Sequence, residues 1–260
     1  MTHLQAVYLY DDPDTAGLDI DYLAGYLATE APGLQVGVRT DFLTHHFGRF
    51  PEEHRAALER ELERQLAGTR AAAHLDADEE GLPWAQADLD DVYVARLLQA
   101  ALRLLIPEDE ASTDRLHCVF MSQLLADIDA PADPRIGVAA LGSPTLISTS
   151  GLVEAPRRPR EYYFRRDHYA MLGAVEHIDA LVEQFADRTV DYGDPRINEL
   201  LKGYLLMAVV YRATGDGPCA DPLCPLHAAD TQQELLQSQL GDRSRICGYH
   251  RGILDTVYEE

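Results

Sequence analysis

The sequence predicts an α/β (α+β) fold, a mixed β-sheet flanked by helices and followed by a helical C-terminal lobe. Three observations predict it. Short β-prone apolar runs bounded by turn residues fill the first part of the 260-residue chain, and 3.6-period apolar patterns take over after a Pro- and Arg-rich stretch at Pro156–Arg166. A composition of 46% hydrophobic and 25% charged residues belongs to a chain that buries a core.

Leu4 to Tyr10 is apolar and β-prone, and Asp-Asp-Pro-Asp after it signals a turn, which makes a first buried strand. Leu18, Tyr22, Leu23, Tyr26 and Leu27 share one helical face, and Pro32-Gly33 ends that helix. Gln35 to Arg39 completes a β-α-β start. Pro51 opens a charged surface helix to about Ala67, with a narrow stripe of Leu58, Leu62 and Leu66. Asp76 to Gly81 is an acidic loop. A helix is expected from Asp88 to Leu105, closed by Pro107. Strands follow at Leu116–Leu125, Ile136–Leu141 and Thr145–Thr149, with a turn at Pro131–Pro134. The Pro- and Arg-rich stretch is a boundary or crossover, and helices are expected over His168–Ala186 and Pro195–Thr214. The chain thus divides into a mixed α/β sheet portion, residues 1–155, and a helical C-terminal portion, residues 156–260, packed as one compact domain.

Charge narrows the function. Forty-four Asp and Glu against 22 Lys and Arg give −22, and only Lys202 is lysine. Dispersed acidity with almost no lysine suits a surface kept hydrated in molar salt, where the Debye length is ~3 Å and self-repulsion is screened; it points to a halophilic host. Binding to a nucleic-acid backbone is disfavoured. No run reaches the ~18 apolar residues of a membrane span, and the first residues lack the pattern of a secretory signal, so the chain reads as cytoplasmic.

Three of four cysteines crowd together as Cys219-x4-Cys224-x22-Cys247-x2-His250. In a reducing compartment grouped cysteines are metal ligands more often than disulfides. Two short loops, each with a ligand pair, separated by a helix-sized spacer, match a closed tetrahedral site for one structural zinc. His227 is the alternative fourth ligand. Cys118 sits in an apolar run and reads as core.

This C-terminal segment resembles the archaemetzincins, a metzincin-related family of zinc proteases whose helix HExxHxxGxxH runs into a Cys-x4-Cys-x-Met segment and a closing CxxC. Aligning the cysteines on Cys219 and Cys224 brings the family glycine onto Gly215 and the closing pair onto Cys247 and His250, with a spacer five residues longer. The resemblance implies a zincin-like scaffold and a structural zinc. On the same alignment the first two catalytic histidines fall on Ala208 and Arg212, the general base on Val209, the third histidine on Pro218 and the turn methionine on Leu226. A metal-bound water needs imidazoles one turn apart and a carboxylate beside it, and those side chains are missing. The implied protein is a metallopeptidase relative without the catalytic motif, with a peptide or protein as partner class. The rival reading is an active hydrolase whose metal is held by His168, His177 or His227.

Two other groups stand out. His45-His46, with Asp41 nearby, reads as a surface pair, because neighbours on a helix lie ~100° apart. Arg157, Arg158 and Arg160, followed by Tyr162, Tyr163, Phe164, Arg165 and Arg166, concentrate arginines in an acidic chain and are candidate anion or peptide contacts.

Overall fold

In the computed structural model the described residues are 3–70, 91–128, 135–174 and 176–258. The acidic loop at Asp76–Gly81, the start of the helix expected from Asp88 and the turn at Pro131–Pro134 lie outside them.

The chain opens as β1 (Ala6–Tyr10), α1 (Ile20–Glu30) and β2 (Gln35–Arg39), with β1 and β2 parallel in register from Ala6 opposite Gln35 to Tyr10 opposite Arg39. The Asp19 carboxylate caps α1 by accepting from the Tyr22 amide. Asp41 caps a short α2 (Phe42–Phe47) in the same way, and α3 (Glu52–Ala67) begins one residue after Pro51. The next described elements are β3 (Val92–Val94) and α4 (Ala95–Arg103). One helix was expected across this region. Val92-Tyr93-Val94 is a β-branched and aromatic triplet that gains a parallel partner in Leu124–Ala126, and that pairing overrides the helical pattern.

Leu116–Leu125 likewise divides into β4 (Arg115–Met121) and β5 (Leu124–Asp127), and Ile136–Leu141 into β6 (Arg135–Gly137) and β7 (Ala139–Ala140), which flank Val138. β8 (Thr145–Ser148) is followed by α5 (Gly151–Glu154), α6 (Arg160–Met171), α7 (Glu176–Phe185), α8 (Ile197–Thr214), α9 (Gln232–Leu240) and α10 (Gly248–Tyr258). The helix expected over His168–Ala186 is therefore two helices, interrupted where Gly173 takes a left-handed φ of +67°, and the arginine-rich stretch read as a crossover continues as α6.

The main sheet runs β2-β1-β4-β8-β7, parallel except for the edge strand β7, and a second sheet runs β3-β5-β6. Side chains alternate between its two faces. Val7, Leu9, Leu116, Cys118, Phe120 and Ile147 pack under α1 and α8, while Tyr10, Val119 and Leu146 pack with Phe42 of α2 and Leu98 and Leu102 of α4. The larger core joins Leu4 to Leu254 and includes Leu200, Leu205, Ala208 and Val209 of α8, all fully buried. Cys118 belongs to it, as expected, and burial pushes its thiol up. Among the described residues no helix is long and apolar enough to cross a membrane.

Candidate functional site

Two features lie near the end of α8: a cluster of thiols with one imidazole, and a cleft. Gly215 caps α8 in the left-handed conformation (φ +80°) and donates its amide to Tyr211 O at 2.7 Å, turning the chain out of the helix. A tight loop follows. The Cys219 amide donates to Leu226 O (2.9 Å) and the Cys224 amide to Asp221 O (3.1 Å), and the two sulfurs converge on one group of ligand atoms. The loop is clamped onto α8 at Gly203, where a Cβ would collide with Pro225 O and with the Gln239 side chain that donates to that carbonyl. α9 starts with a capping box between Thr231 and Glu234, and α10 then presents Cys247 just before its first residue and His250 in its first turn.

The ligand atoms of Cys219, Cys224, Cys247 and His250 all lie within 4.8 Å of one another, the only such group among the described residues. Metal–sulfur and metal–nitrogen distances of ~2.3 and ~2.0 to 2.1 Å in a tetrahedron put sulfurs about 3.8 Å apart and sulfur about 3.6 Å from nitrogen. The structure has Cys219 Sγ to Cys247 Sγ at 3.8 Å, Cys224 Sγ to His250 Nδ1 at 3.8 Å and Cys247 Sγ to His250 Nδ1 at 3.2 Å. Three of the six edges thus lie within about 0.4 Å of those of such a tetrahedron, and the longest does not exceed 4.8 Å. All four cysteines are free thiols. Burial pushes the Cys219 thiol up to about 12, so a thiolate here calls for a cation beside it. A Cys3His set of this shape can bind zinc. His227 is outside the cluster, its Nδ1 bonded to Cys219 O at 2.8 Å.

The cleft, of about 550 Å³, runs between the Arg135–Ala140 strand and the loop after α8. Ile136, Leu141, Met207 and Pro218 give it apolar walls, and Arg135, Arg157, Glu154 and Asp230 mark its polar margin. From α8 it is Tyr204 and Met207 that line it; Ala208 and Val209 are closed off in the core. Arg212 turns away and donates to Ser112 O at 2.9 Å.

The remaining sequence candidates separate. Arg157 lines the cleft, but Arg158 pairs with Asp191 (3.5 Å) over the Tyr162 ring, and Arg160 lies over Phe164 at the start of α6. His168 and His177 both sit against Tyr169, and neither belongs to a ligand cluster among the described residues. The His45-His46 pair is a correction. His46 is fully buried, because α2 folds onto the sheet and carries it to Tyr10, a packing that spacing alone does not reveal. Tyr10 Oη lies 3.2 Å from His46 Nε2, 2.8 Å from His117 Nδ1 and 2.7 Å from Arg39 Nη1, and Arg39 makes a two-pronged ion pair with Glu110 at 2.8 and 2.9 Å. Sequence reasoning missed this network and the cleft residues Tyr204 and Met207. The one signal for Tyr204 was a hydroxyl inside an otherwise apolar helical run.

Comparison with known proteins places these features. The crystal structure of archaemetzincin from Methanopyrus kandleri superposes with a TM-score of 0.51 over 99% of this chain and 97% of that one, at 13% sequence identity, which establishes a shared fold. No curated protein matches the sequence. A family model described as "Probable metallopeptidase family" (DUF6775) matches residues 3–257, nearly the whole chain, and the chain belongs to that family.

Proposed function

We propose that this protein is a metallopeptidase relative that binds peptides without hydrolysing them, its C-terminal lobe held together by one structural zinc on Cys219, Cys224, Cys247 and His250. The observation that carries this reading is the character of the cleft floor. α8 offers it a tyrosine and a methionine, and the positions aligned with catalytic imidazoles and the general base are Ala208, Arg212, Pro218 and Val209, none of which can hold a metal-bound water or accept its proton. The zinc would crosslink the loop after α8 to α10; its chemistry is structural because all four positions are filled by protein. We take residues 1–155 and 156–260 as one domain, since a single core runs through both. The acidic surface fits a salt-rich cytoplasm.

The test combines metal analysis with a cleavage assay in molar KCl. Purified protein is expected to contain one zinc per chain and to leave a mixed peptide library intact. Cys224→Ser should lose the metal and become protease-sensitive beyond about residue 195, because structural zinc sites contribute ~10–16 kcal/mol in small peptides. Two metals per chain, or cleavage abolished by a chelator, would sink the non-catalytic reading and direct the search to His168, His177 and His227.

A further inference from the structure

Tyr204 is 97% buried (3% exposed), and its ring is packed among Leu200, Leu205 and Ala208 of its own helix's core. A tyrosine that is otherwise buried usually keeps its hydroxyl paired or wet. The Tyr204 hydroxyl has no protein partner among the described residues and is not one of the polar atoms sealed away from solvent, so it opens onto the cleft that the residue lines. Burial raises the phenol, so it stays protonated at neutral pH and is available as a donor.

The surroundings specify what it meets. The cleft wall is the stretch Arg135–Ala140, whose β7 segment is the edge of the main sheet and whose β6 segment is the edge of the second, so among the described strands each segment pairs on one side only. An extended backbone can be laid against such an edge. The apolar walls favour apolar side chains, and the margin carries two arginines and two carboxylates, a balance that selects neither an acidic nor a basic ligand. Resting on the peptide-binding reading above, we propose that Tyr204 is the residue that reads the ligand in this cleft, its hydroxyl donating to a backbone carbonyl of an extended, uncharged peptide segment lying along Arg135–Ala140 while Met207 packs beneath one of its apolar side chains.

The experiment uses the full-length, zinc-loaded chain and a capped hexapeptide of alternating leucine and serine, with binding followed by calorimetry and peptide integrity by mass spectrometry. Tyr204→Phe removes one oxygen and should weaken binding about tenfold, the loss of one hydrogen bond worth roughly 1.4 kcal/mol, while zinc content stays the same and the melting temperature holds or rises. Ala228→Trp, at an exposed position on the cleft, should block binding without touching the core. A merely structural tyrosine would lower the melting temperature and leave affinity alone. Equal affinity of wild type and Tyr204→Phe, or no binding of the intact peptide by wild type, overturns the inference and leaves the non-catalytic reading in place. Peptide cut by the wild type overturns that reading instead.

Discussion

Proton placement in the Tyr10 network follows from its acceptors. His117 Nε2 is 3.1 Å from the Glu110 carbonyl and must donate to it, so His117 Nδ1 is the bare nitrogen and accepts from the Tyr10 hydroxyl. Tyr10 Oη then accepts from Arg39 and from His46 Nε2, which leaves His46 Nδ1 unprotonated and, with His45 Nε2, without a partner among the described residues. Both buried imidazoles are thus held neutral. Burial, with like charges nearby, lowers His46 to about 3 and His117 to about 4. Because these values lie below the unfolded value near 6.5, stability is complete above pH 6.5 and drains away as pH falls toward 4, at roughly 1 kcal/mol per pH unit for each histidine. Glu110, pulled down to about 2 by Arg39, adds a second loss only below its unfolded value of 4.5. Denaturant melts at pH 7 and pH 5 should differ by a few kcal/mol, and Tyr10→Phe, which frees His117 Nδ1 to protonate, should shrink the difference. Identical stability at the two pH values would mean the imidazoles are hydrated in solution.

Within α8, one small residue sets the position of a whole loop. Gly203 lets Pro225 O rest against the helix, and Gln239 of α9 bonds the same carbonyl at 2.7 Å. Gly203→Ala is expected to push that loop away, lowering the melting temperature by on the order of 5–10 °C and releasing metal at a lower chelator concentration, although alanine is the better helix former. A more stable variant with unchanged metal retention would show that the loop does not need this contact. α8 itself was legible from sequence, because eighteen residues of apolar periodicity ended by a glycine leave little choice, and so was the Cys3His spacing, which is local chemistry. β3 was not legible, since its strand character comes from Leu124–Ala126, about thirty residues away, and the depth of His46 was hidden for the same reason. The cleft depends on bringing the strand at Arg135 beside the loop at Pro218, a long-range closure with no sequence signature.

For the molecule as a whole, −22 of net charge surrounds a continuous core. Diluting salt from molar to ~0.01 M stretches the Debye length from ~3 to ~30 Å and exposes every surface carboxylate to its neighbours. The melting temperature is expected to fall by on the order of 10 °C across that dilution; a flat profile would argue against adaptation to salt. The core also imposes an order on synthesis. β1 is interior to the sheet, yet its partner β4 comes more than a hundred residues later and its covering helix α8 about ninety later still. Cys219 and Cys224 leave the ribosome well before Cys247 and His250, so the emerging chain carries two uncommitted thiols until translation has passed His250. Until then those sulfurs lack the neighbours that the finished fold gives them, and their chemistry in the emerging chain is that of exposed thiols.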